Sequence, residues 1–184
     1  MPVPSVEGWD NFYVIVGSSA AALTGLMFVV ITLSAETRAR YPKALSAFST
    51  PTVSHFCLVL LIAAVITIPR HNIMSLTICL GLTGLAGLAY TSIVVLRIFR
   101  QKEYRPVLED WVFHVVLPLL AYLMICVAVF VFRQQPDLML NLIAACALLI
   151  LYVGIHNAWD AAVFLALDKG TVEPQPEKQD PAKK

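Results

Sequence analysis

The sequence predicts an all-α integral membrane protein, a bundle of five transmembrane helices with the N-terminus outside and the C-terminus in the cytoplasm. Three observations predict it: an apolar composition, five long uncharged stretches and a one-sided distribution of basic residues. Of 184 residues, 59% are hydrophobic and only 14% charged, and the mean hydropathy is +0.77. An ordinary soluble domain holds roughly 45–50% apolar and about 25% charged residues, so a soluble globule, a disordered chain and a disulfide-stapled module all fit poorly. The 13 Lys and Arg nearly balance the 12 Asp and Glu, leaving a formal net charge of +1. No basic field is present to recruit nucleic acid, and the partner this composition asks for is the lipid bilayer.

Asn11–Ala35, Ala44–Pro69, His71–Leu96, Trp111–Phe132 and Leu138–Trp159 contain no Asp, Glu, Lys or Arg. Each exceeds the roughly 18–20 residues that cross a ~30 Å hydrocarbon core as a helix. None alternates as a barrel strand does, and a backbone in lipid must satisfy its own polar groups, so the spans are helical. Helices are expected at about 12–34, 52–69, 73–97, 111–132 and 138–167, with 1–167 as one transmembrane domain. Four spans, with the second helix re-entrant, is the lesser alternative. Pro51 suits the first turn of the second helix, where a missing N–H costs nothing. Pro69-Arg70-His71-Asn72 then forces a tight hairpin, Pro106 lies in the polar connector after the third helix, and Pro136-Asp137 divides the last two spans.

The basic residues set the orientation. Arg38, Arg40 and Lys43 precede the second helix, Arg97, Arg100, Lys102 and Arg105 follow the third, and Lys169, Lys178, Lys183 and Lys184 lie in the tail. Alternation puts all of these on one side, with only Arg70 and Arg133 opposite, and the positive-inside rule makes the richer side cytoplasmic. Residues 1–11 carry Glu7 and Asp10 but no basic n-region, so the first helix reads as retained rather than cleaved. Trp9 and Tyr13 suit the outer interface, and Tyr104, Trp111 and Trp159 the inner one. Residues 168–184, rich in Pro, Glu, Gln and Lys, read as a disordered cytoplasmic tail.

Cys57, Cys79, Cys126 and Cys146 all fall within spans without a CxxC spacing. They read as small packing residues rather than as a disulfide or zinc framework. Small residues mark two helices. Gly17, Ala21 and Gly25 recur every four residues, flanked by Ser18 and Ala22, and Gly81, Gly84 and Gly87 form a second set with Thr83 and Thr91. Such residues let two helix backbones approach closely. The plain reading is packing within the chain; the sharper ones are a homo-oligomeric seam or a narrow pore.

Trp9-Asp10-Asn11-Phe12-Tyr13 followed by Gly17-Ser18-Ser19-Ala20-Ala21-Ala22-Leu23-Thr24-Gly25-Leu26-Met27-Phe28-Val29 resembles the first helix of a group of small multi-span bacterial inner-membrane proteins. Gly154-Ile155-His156-Asn157-Ala158-Trp159-Asp160 resembles that group's last helix, with His where Arg is expected at 156. The resemblance covers about a fifth of the chain; it implies a bacterial cytoplasmic membrane and brings no activity with it.

Ionisable groups within spans are expensive and are functional candidates by default. His55, His114, His156 and Asp160 are the four here, with Asn157 and Arg97 beside them. Alternation brings all of them toward the cytoplasmic side, and His156 and Asp160, four apart, share one face of the last helix. Pro118 lacks an N–H, so the His114 carbonyl is expected to lose its helical partner and the helix to kink. Three readings fit the cluster. It is a structural hydrogen-bonded network, with an Arg97–Asp160 ion pair; or a proton- or ion-handling site, since His titrates near neutrality; or a divalent metal site on His114, His156 and Asp160.

No HExxH, GxSxG or facing pair of intramembrane Asp appears, and the glycines of the third helix follow no strand, so they form no phosphate cradle. The expected role is therefore a non-enzymatic accessory or scaffold component that associates by small-residue helix packing, as a homo-oligomer or with a membrane-protein partner. The alternative is a small-solute or ion channel or transporter built on the polar cluster, and the third is a membrane metal-binding protein. No cofactor is expected outside that third reading.

Overall fold

The long uncharged runs of the sequence fold as helices wherever they are described. The computed structural model describes residues 8–33, 42–69, 73–100, 106–131 and 135–170. They form α1 (Asp10–Leu33), α2 (Pro42–Thr67), α3 (Ile73–Arg100), α4 (Leu108–Val131) and α5 (Pro136–Gly170), with no strand among the described residues. Each helix is long and apolar enough to cross a membrane. Arg38, Arg40, Arg70, Tyr104, Arg105, Arg133 and the tail from 171 onward lie outside the described residues.

The helices close a ring. α2 packs on α3, α3 on α4, α4 on α5, and α5 back on α2, while the two diagonals carry few backbone contacts. α1 stands outside the ring, against α2 and α5. Burial follows from this plan: 56% of the apolar window of α5 and 50% of that of α2 is buried, but only 22% of that of α1. Phe56, Val59, Ile62 and Ile66 of α2 and Met139, Ile143, Ala147 and Ile150 of α5 form the centre of the core, joined by Leu80, Ile125 and Ala128.

Glycines set how closely the helices approach. A methyl group at Gly87 would overlap the Tyr122 ring, one at Gly84 would lie 2.8 Å from Cys126 Sγ, and Gly81 faces Val129. The three glycines of α3 therefore all face α4 side chains. Gly154 of α5 receives the Phe56 ring of α2 in the same way. Hydroxyls that would otherwise be stranded bond the carbonyl one turn back: Thr24 to Ala20, Thr83 to Cys79, and Thr91 to Gly87, at 2.8–2.9 Å.

Several expectations change. α2 begins at Pro42, ten residues ahead of the expected start, so Pro51 lies inside the helix rather than in its first turn. Proline there removes one N–H, but it is buried against neighbours, and packing of this kind sustains a helix across a proline in membrane bundles. Tyr13, near the start of α1, turns inward against the bundle. It is fully buried, its ring edge-on to Phe12 at 4.9 Å, while Trp9 beside it is half-buried. The stripe on α1 divides. Gly17 faces Ala63 of α2 and Ala20 is buried, whereas Ser18, Ala21, Ala22 and Gly25 point outward, with nothing within 4 Å of a Cβ at Gly25.

This packing makes a differential prediction. Gly87→Ala and Gly154→Ala should each lower unfolding stability in mild detergent by about 1–3 kcal/mol, the usual cost of overpacking. Gly25→Ala should leave it unchanged or slightly higher, because its added methyl meets open space. Equal losses at all three positions would contradict the described packing.

Candidate functional site: a polar half inside the helix ring

Of the buried polar residues among the described residues, all but Thr83, whose hydroxyl bonds the Cys79 carbonyl, lie toward one end of the ring. Ser49 and Thr52 come from the N-terminal half of α2 and His55 from its middle, Thr91 from the C-terminal half of α3, His114 from the N-terminal half of α4 and Asn157 from the C-terminal half of α5. All are at most 5% exposed. Antiparallel neighbours bring these halves to one depth. The opposite half of the ring is filled by Ile62, Ile66, Leu80, Ile125, Met139 and Ile143.

At the centre, His55 Nδ1 lies 2.8 Å from the Tyr122 hydroxyl. This bond spans the α2–α4 diagonal, which has few backbone contacts of its own. The phenol either donates to Nδ1 or accepts from it, and the tautomer sets whether Nε2 is then a donor or an acceptor. His114 lies close enough to His55 for the two imidazoles to interact electrostatically.

His114 sits in a turn of unusual register. Val112–Val116 is π-helical, and the Leu117 N–H bonds Val112 O, five residues back, where an α-helix would use Phe113 O. Pro118 follows and has no N–H to offer. The Phe113 carbonyl instead takes its donor from another helix, Asn157 Nδ2 at 3.4 Å. The carbonyl that proline was expected to free was that of His114; the π register shifts the cross-helix bond to the residue before it. His114 Nδ1 meets Asp110 O at 3.2 Å in the turn below. Such π turns recur at functional sites.

A rim of mixed charge closes this end. The His156 imidazole stacks on Phe113, centroids 3.5 Å apart and 7° from parallel. Its Nε2 lies 3.2 Å from Glu109 Oε1 and its Nδ1 3.0 Å from Asp160 Oδ2. The contact with Asp160 has ion-pair distance without hydrogen-bond alignment. Each ring nitrogen of His156 thus lies within ion-pair distance of a carboxylate, one from α4 and one from α5. Glu109 and Asp110 occupy the first turn of α4, where acidic groups suit the helix dipole, and Asp110 Oδ2 accepts the Val107 N–H at 2.8 Å.

The structure thus joins His55, His114 and Asn157 inside the ring and places His156 with Asp160 at its rim. Arg97 stands apart, half-buried in the last turn of α3, and among the described residues it forms no ion pair with Asp160, which faces His156 instead. Of the trio His114, His156 and Asp160, the last two lie 3.0 Å apart. Among the described residues no group of three or more His, Cys, Asp or Glu is arranged to hold a metal ion. At His156 the two carboxylates lie on different ring nitrogens, which diverge, so one ion cannot touch all three.

Tyr122, Phe113 and Glu109 escaped the sequence reading. Tyr122 lies four residues beyond Pro118, deep in a span where a phenol needs a partner; that need was the available signal. Glu109 sits at the same depth as His156 once α4 and α5 form a hairpin. Searches of protein-family models, curated proteins and solved structures find no match to this chain, and its function has to be read from its own geometry.

His156→Ala removes the stack on Phe113 and both carboxylate contacts. Hydrogen exchange of the backbone amides of 108–116 is expected to quicken several-fold, with exchange in α1 unchanged. Equal rates in the 108–116 segment would mean that the imidazole does not hold the start of α4.

Proposed function

We propose that this chain is a non-enzymatic component of a bacterial cytoplasmic membrane, N-terminus outside, that self-associates through the outward face of α1. The observation that carries this reading is the contrast between the two small-residue sets. The glycines of α3 are consumed by α4, whereas Ser18, Ala21, Ala22 and Gly25 of α1 face away from the bundle. Small side chains gain nothing from lipid tails, but they let a second helix approach until backbones touch. A second copy brings the same face, and two such faces close about a two-fold axis without leaving an open end. The basic residues that alternation assigns to one side support the orientation.

The polar half of the ring favours a second reading, in which the chain handles a proton or a small polar solute from one side. Passage to the other side would require the aliphatic half behind it to part.

Native mass spectrometry from lipid nanodiscs or mild detergent tests the first reading. The wild type is expected as a dimer or higher oligomer, and Ala21→Leu and Gly25→Leu as monomers of unchanged helical content. A monomeric wild type, or leucine variants with the wild-type stoichiometry, would overturn it.

A further inference from the structure

Several hydrogen-bonding atoms in the polar half are shut off from the surface and have no hydrogen-bond partner among the described residues. They are His55 Nε2, Asn157 Oδ1, Ser49 Oγ and the Tyr90 hydroxyl. Tyr90 is near enough to Tyr122 to interact with it electrostatically, so α3 contributes to the same centre. Toward the opposite end, among the described residues, only Tyr13 and Thr77, on separate helices, have such an atom. Buried polar groups in folded proteins are almost always paired, with protein or with ordered water. Four such atoms, supplied to the same half of the ring by α2, α3 and α5, with His55 itself bonded to Tyr122, point to water as their partner.

The chemistry of these atoms defines that partner. Asn157 has already committed its amide N–H to Phe113, so its oxygen can only accept. The two hydroxyls can donate or accept, and His55 Nε2 takes whichever role its tautomer leaves. A ligand must therefore offer both donors and acceptors. A neutral ligand suits them, because none of the four atoms belongs to Asp, Glu, Lys or Arg. Water satisfies all three conditions and needs two to four such partners to be held.

We propose that the polar half of the ring is a hydrated chamber. It binds water on His55, Asn157 and the hydroxyls beside them, communicates with the rim of Glu109, His156 and Asp160, and ends at the aliphatic half. Asn157 bonds the Phe113 carbonyl and His156 stacks on the Phe113 ring, so the Asn157 side of the chamber adjoins the rim. Water there reaches His55 from one side of the molecule only, which makes the chamber an inlet rather than a pore. This inference stands whether or not α1 mediates self-association.

Hydroxyl-radical footprinting by X-ray radiolysis of the full chain in lipid nanodiscs tests it, because radicals form from water already bound inside the protein. Tyr122 and Met139 are both 0% exposed and His55 is 1% exposed, so surface access cannot distinguish them. Oxidation is expected at Tyr122 and His55, while Met139 in the aliphatic half stays protected despite its more reactive thioether. Asn157→Leu should reduce Tyr122 oxidation several-fold and leave Met139 protected, which also reports that the core remains closed. Protection of Tyr122 and His55 equal to that of Met139 would overturn the proposal. Oxidation of all three in the wild type would do so as well, since water would then not be confined to one half.

Discussion

One hydrogen bond crosses the middle of the helix ring, and much of the interior is arranged around it. Tyr122 sends its hydroxyl to His55 on the diagonal helix while its ring rests on Gly87 of the adjacent one. A single side chain thereby fixes the spacing of α3 and α4 and the register of α2 against both. Apolar neighbours offer no substitute for that bond. A phenol placed this deep has to be matched by an acceptor or donor at the same depth.

The rest of the packing obeys the same limitation. Where surroundings are as apolar as the core, burying leucine gains little, and helices hold together by close fit and by internal hydrogen bonds. The fits of Gly87 with Tyr122 and of Gly154 with Phe56 supply contact across α3–α4 and α2–α5. The hydrogen bonds concentrate at one end, where the π turn of α4 and Pro118 turn a backbone carbonyl toward Asn157. A local break in helical register thus becomes a link between helices, and it does so next to both imidazoles.

The helices were legible in the sequence because uncharged length is a strong and local signal. The start of α2 was less legible, because Pro51 resembles a first-turn proline as much as an internal one and the choice depends on what packs against it. Of the polar residues, His55, His114, Asn157, His156 and Asp160 could be found by asking which polar groups fall inside spans. Their partners could not, since Tyr122 and Phe113 read as ordinary apolar content until the hairpins set their depth. The stripe on α1 shows the same boundary. Spacing identifies Gly17, Ala21 and Gly25 as one series, but the slow drift of a 3.6-residue turn puts the first against α2 and the last outside.

The account rests most directly on the bond across the ring, and a double-mutant cycle measures it. Unfolding free energies of the wild type, Tyr122→Phe, His55→Leu and the double variant, taken in the same detergent, isolate the coupling between the two side chains. Tyr122→Phe keeps the ring on Gly87 and removes only the hydroxyl. A stabilising coupling of about 0.5–1.7 kcal/mol, the range for interhelical hydrogen bonds in membrane bundles, is the predicted result. A coupling indistinguishable from zero would mean that the diagonal bond does not organise the ring, and would contradict the account at its centre.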